Sequence, residues 1–195
     1  KLEAVLIEFR LLSHLGFILK NSILKLGSEW SFTVVCGNYN YKFFENLKKE
    51  IRRDFRIIHK NIYNISREEY SVLLLDSNFY KQFSGNKILI YQEDSIILSN
   101  LSNHFLQYDY IGAPFPNKDV GNGGLSLRSK DIMIEICENN FEPIKDKILR
   151  NLNLLKKYKP KFLQKYGKNY INDPEFYFFY LMERELLEDL QITNI

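Results

Sequence analysis

At 195 residues and 45% hydrophobic content, the chain is long enough for one globular domain with a substantial core, which excludes a disordered or low-complexity protein. Six lysines from Lys156 to Lys168 (Lys156, Lys157, Lys159, Lys161, Lys165 and Lys168) more than account for the net charge of +3, so the body is mildly acidic and no broad nucleic-acid-binding face is expected. No apolar run reaches transmembrane length, and Cys36 and Cys137 lack metal-type pairing, which fits free thiols in a reducing, cytoplasmic setting.

The first residues carry no signal-peptide pattern, and Ala4 to Phe9 predicts a strand with Glu8 and Arg10 at its carboxyl end. Leu11 to Leu26 has apolar residues at helical spacing and stops at Gly27, a natural C′ glycine. Trp30 to Cys36 predicts a second strand ending in Gly37-Asn38, and Phe43 to Phe55 a helix with a charged outer face. Arg56 to His59 predicts a short third strand. Ser66-Arg67-Glu68-Glu69 is a capping-box pattern opening a helix through Leu75, and Asn78 to Phe83 is a further helical turn. Ile88 to Tyr91 is too short for helical amphipathicity and predicts an inner strand buried on both faces. Strands alternating with helices give an α/β fold, a Rossmann-like domain with a mostly parallel sheet.

Ile96 to Leu98 is a second apolar run, and Leu101 to Tyr108 a short helix. Four of the nine glycines and two of the five prolines fall between Gly112 and Gly124, marking a structured loop where backbone approaches something closely. The spacing of Gly121, Gly123 and Gly124 is not that of a dinucleotide-binding turn, and a strand-like segment follows instead of a helix. Small residues beside a polyhydroxy ligand, or a turn needing positive φ, both suit it. Leu125 to Arg128 predicts a strand or tight turn, with Ser129 capping a helix from Lys130 to Glu138. Asp173 is a natural N-cap and Pro174 a natural first helical residue for the last helix.

Chemistry concentrates after the inner strand, at Gln92, Glu93 and Asp94. Carboxylates at the carboxyl end of an inner strand require water, a metal or a ligand, and that is where open α/β sheets bind ligands. Asp94 with an oxygen donor two residues earlier suits a hard divalent cation that also touches phosphates, while a polar turn between two strands is the structural alternative. Alternation in an extended chain would put Glu93 on the opposite side from Asp94. Asp173 and Glu175 serve either as helix-capping carboxylates or as a general base at a cleft. His14, His59 and His104 are scattered, and no Walker loop, GxSxG or Cys/His pair is present.

Together, Glu8-Phe9-Arg10, Gln92-Glu93-Asp94-Ser95, Asp109 to Phe115, Val120 to Ser129 and Asp173-Pro174-Glu175 resemble the motifs of a family of microbial and viral glycosyltransferase-like domains long described as of unknown function. The resemblance covers nearly the whole chain, and VGNGGLSLRS is its most specific part. It implies a single GT-A domain over 1–195, with a nucleotide-binding half (1–98) and a sugar/acceptor half (99–195). It implies a nucleotide-sugar donor, a glycan or other hydroxyl acceptor, and Mn²⁺ or Mg²⁺. Asp94 would be the metal ligand of a DxD-like motif, with Gln92 replacing its first Asp. Gly123 and Gly124 would line the donor-sugar pocket, and Glu8, Arg10, Gln92 and Arg128 would lie at the donor. The family's acidic motif becomes DPE here, so Glu175 would take the base position, with Asp173 as the other candidate. No histidine follows that helix, so the late metal ligand of many GT-A enzymes is absent. The resemblance favours an enzyme, and the lost acidic position leaves open a binding module on the same fold.

Overall fold

The computed structural model describes residues 1–113 and 122–139, all within one compact unit, Lys1–Phe141. The strands are β1 (Leu2–Ile7), β2 (Trp30–Cys36), β3 (Arg56–His59), β4 (Lys87–Tyr91), β5 (Tyr110–Ala113) and β6 (Asn122–Ser129). They form one six-stranded sheet in the order β3-β2-β1-β4-β6-β5. The first four are mutually parallel, and β6 runs antiparallel to both β4 and β5. The expected Rossmann-like α/β sheet, mostly parallel and mixed, is therefore present. Its order reverses between β1 and β4, because the chain leaves β1 toward β2 and later returns to β1's other side.

Helices α1 (Leu15–Leu26), α2 (Tyr41–Glu50), α3 (Arg67–Leu74) and α4 (Ser77–Lys81) join the parallel strands, and a fifth helix, α5, occupies residues 130–139. Alternate residues of each inner strand feed two cores. Ala4, Leu6, Leu89 and Tyr91 meet Leu15, Leu19 and Phe44 of α1 and α2. Val5, Ile7, Ile88 and Ile90 meet Leu74, Tyr80, Met133 and Cys137 of α3, α4 and α5. An apolar run covered on both faces has no polar side to show, which is why the strand-β4 sequence lacks alternation. Each of the buried Val, Leu, Ile, Phe and Met side chains contributes about 1.5–3 kcal/mol on burial.

Local signals act as expected in several places. Leu15, Ile18, Leu19, Ser22 and Leu26 form the buried stripe of α1, which ends at Gly27 with φ 85°. Ser66 Oγ accepts from Glu69 N, and Glu69 Oε2 accepts from Ser66 N, closing the capping box of α3. Other boundaries moved. Helix α2 begins two residues earlier than expected and ends at Glu50, since Ile51 is extended and Phe55 drops into the core below. Ile96 to Leu98 is not a strand, and Ile97 N donates to Asn21 Oδ1 of α1. Tyr110–Ala113 forms strand β5, so Gly112 lies in a strand and not in a loop. The Ser129 hydroxyl donates to Asp109 and accepts from Lys87, tying β6 to β4 and the start of β5.

Glu3 locks the opposite end of the sheet. Its buried carboxylate accepts from Thr33 Oγ1 (2.6 Å), Ser84 N (2.6 Å), Ser84 Oγ (3.0 Å) and Gly85 N (2.6 Å). Burial pushes Glu3 upward, but these hydrogen bonds outweigh it and hold the group below the ordinary carboxylate range. Gly85 is required there, because a Cβ would lie 2.5 Å from that of Glu3.

Candidate functional site

The carboxyl ends of β1 and β4 lie side by side where the strand order reverses, and Glu8 and Arg10 follow one while Gln92, Glu93 and Asp94 follow the other. Glu8 follows β1 and is buried. Its Oε1 accepts from Phe9 N, Arg10 N and Arg10 Nε, and its Oε2 accepts from Arg10 Nη2 at 2.7 Å. The same Nη2 also donates to Glu93 Oε1, which lies beyond β4. Hydrogen bonds and the charge of Glu8, followed by those of Glu93, raise the pKa of Arg10 further above neutrality.

Asn40 holds this loop. It is fully buried at the start of α2 and does not cap that helix. Its Nδ2 donates to Glu8 O (2.7 Å) and Arg10 O (3.0 Å), and its Oδ1 accepts from Gly37 N (3.0 Å). Sequence reasoning missed Asn40, and the nearest signal was the polar Gly37-Asn38 that ends β2.

Gln92 to Ser95 form a turn in which Ser95 N donates to Gln92 O at 3.2 Å. The expectation that Glu93 and Asp94 separate by strand alternation is therefore corrected: the chain is turned here, and partnership separates them. Glu93 is held by Arg10. Asp94 is exposed, with Ser95 Oγ at 3.4 Å from its Oδ1.

The glycine motif reaches the same edge from the other strand. Antiparallel pairing of Ile90 with Ser126 carries the amino end of β6 toward the carboxyl end of β4. Gly112 pairs with Ser126 and Ala113 with Asn122, so Gly123, Gly124 and Leu125 form a bulge in β6. Ser126 Oγ and Arg128 Nη2 both donate to Gly123 O, at 3.0 and 3.3 Å. Arg128 is buried beneath the bulge and reaches Tyr80 OH at 2.6 Å. Asp173 and Glu175 lie outside the described residues, as does the Lys156–Lys168 stretch.

Among the described residues, no group of three or more His, Cys, Asp or Glu could hold a metal ion. Asp94 and Gln92 are oxygen donors of the turn, and an ion held by them would take most of its ligands from substrate phosphates and water. They do not fit an all-protein cage. Cys36 and Cys137 are free and buried, and burial pushes their thiols up to about 12 and about 11, which disfavours the reactive thiolate. No helix among the described residues is long and apolar enough to cross a membrane.

A family model matches residues 53–194, almost three-quarters of the chain, and spans the inner strand, the bulge and the acidic pair. The chain belongs to the DUF5672 family. That family is described as proteins of unknown function. No curated protein matches this DUF5672 chain in sequence. Among solved structures it is similar to the apo form of the glycosyltransferase GlyE of Streptococcus pneumoniae TIGR4. The two share 12% identity with a TM-score of 0.47, over 80% of this chain and 39% of that one. A second GlyE structure is similar at 13% identity and TM-score 0.47, over 78% and 43% respectively. The chain thus spans about two-fifths of the length of these structures.

Proposed function

We propose that this chain is a metal-dependent glycosyltransferase that moves a sugar from a nucleotide-sugar to an acceptor hydroxyl with inversion. One observation carries the reading. At the sheet edge where strand order reverses, Glu8 and Glu93 are both paired with Arg10, and Asp94 is left facing solvent. In this reading Asp94 and Gln92 would hold Mn²⁺ or Mg²⁺, which when bound supplies Lewis-acid stabilisation of the departing diphosphate. Arg10 would sit at the donor, anchored by Glu8, and the Gly123–Gly124 backbone would border the sugar. Glu175 would take the acceptor's proton as its oxygen bonds to the anomeric carbon and the bond to the diphosphate breaks, with Asp173 as the alternative base. The motif resemblance supports the assignment of these roles.

A second reading is a non-catalytic nucleotide-sugar or glycan-binding module. Gln92, where the motif has an acid, favours it, because a single carboxylate holds a metal weakly without substrate. Incubation with a panel of nucleotide-sugars and Mn²⁺ separates the two. Metal-dependent release of nucleoside diphosphate, lost in Asp94→Asn and Glu175→Gln, supports the transferase. Metal-independent binding without turnover supports the module.

A further inference from the structure

Arg128 is the one buried arginine among the described residues, and its described partners are all neutral. Nε donates to Ser126 Oγ (2.9 Å), Nη1 to Tyr80 OH (2.6 Å) and Nη2 to Gly123 O (3.3 Å). The Tyr80 hydroxyl spends its own proton on Leu74 O at 2.7 Å, so it meets Arg128 as an acceptor. The guanidinium also lies over the Tyr110 ring, 5.2 Å from its centroid. Three of its five N–H groups are used, and no carboxylate among the described residues pairs with it. A buried cation surrounded by neutral groups is costly unless an anion completes it.

A second observation points the same way. The Tyr70 hydroxyl is buried and has no hydrogen-bond partner. Its ring packs against the core that contains Tyr80 and Tyr110, the two rings that Arg128 touches. Burial pushes the Tyr70 phenol upward, and the charges of Arg128 and Asp94 are both felt there. An orphaned buried hydroxyl, packed against the same core as a cation with spare donors, is a group that water or an anion must satisfy.

We propose that Arg128 and Tyr70 together bind an oxyanion of the substrate, a carboxylate or a phosphate, through the spare guanidinium N–H groups and the Tyr70 hydroxyl. The position, beneath the Gly123–Gly124 bulge, suits a donor phosphate or the carboxylate of an acidic sugar. The proposal rests on the transferase reading only for the molecule that carries the anion.

The test is a titration of the 195-residue chain followed by the Arg128 side-chain N–H signals in ¹⁵N NMR. The probes are inorganic phosphate, glucuronate and glucose, at ionic strength held constant with NaCl. A saturable shift is expected with at least one anion and none with glucose. Phosphate alone assigns the site to the donor diphosphate, and glucuronate alone assigns it to an acidic sugar. Tyr70→Phe should weaken that anion about tenfold, as expected for a hydrogen bond to a charged group. The same variant should leave Tm unchanged or raise it, since it deletes an unpartnered hydroxyl. Absence of any saturable shift, unchanged affinity in Tyr70→Phe, or a Tm drop of several degrees in that variant overturns the proposal. Intact shifts with no donor turnover would sink the transferase reading and leave the anion site standing.

Discussion

Arg10 and Glu93 are 83 residues apart in sequence, yet Arg10 Nη2 donates to Glu93 Oε1 at 2.5 Å across the reversal of strand order. The same guanidinium grips Glu8 with two nitrogens, so one cation clamps the ends of β1 and β4. Arg10 is half exposed and Glu93 only 19% exposed. A double-mutant cycle with Arg10→Met and Glu93→Gln, read by urea unfolding, should give a coupling of about 0.5–1 kcal/mol. Coupling near zero at low salt would show that the clamp contributes nothing to stability.

The clamp separates two adjacent carboxylates by function. Asp94→Asn should abolish metal-dependent donor turnover and leave the urea midpoint unchanged, because Asp94 is exposed. Glu93→Gln should keep a measurable fraction of turnover, since its effect passes through the position of Arg10. Initial rates at saturating Mn²⁺ check both. Equal loss in the two variants would contradict the assignment of Asp94 as the metal ligand.

Glu3 sets an acid limit to stability. Its folded pKa lies below the unfolded value of about 4.3, so its contribution is fully present above that pH and is lost as pH falls toward the folded value. Glu3→Gln removes this dependence. It should cost about 2–3 kcal/mol at pH 7, where the charged acceptor for Ser84 and Gly85 is lost. The difference from the parent chain should shrink below pH 4. A difference constant from pH 7 to pH 3 in urea titrations would refute the linkage.

The two thiols should be silent in the folded chain. With Cys36 pushed up to about 12 and Cys137 to about 11, both by burial first, reaction with a disulfide reagent at pH 8 should be at least about 100-fold slower than in denaturant. Rapid labelling of either cysteine without denaturant would show that its core opens on that timescale.

Local chemistry written into consecutive residues was legible in the sequence. The both-faces-buried run at Ile88 to Tyr91, the Ser66–Glu69 capping box and the Gly27 stop follow from side-chain size, short hydrogen bonds and backbone freedom within a few residues. The alternation of strands and helices followed in the same way and fixed the fold class. Partnership was not legible. That Glu8 and Glu93 share Arg10, that Asn40 turns away from its own helix to hold the β1 loop, and that Arg128 faces Tyr80 all join segments dozens of residues apart. The sequence set Glu93 and Asp94 apart only by an alternation that the turn does not keep, and only the tertiary structure decided that Glu93 pairs with Arg10 while Asp94 stays exposed. The reason is physical: a charge is settled by what lies within a few ångströms of it, and sheet order, which brings β1 beside β4, is set by packing of the whole domain.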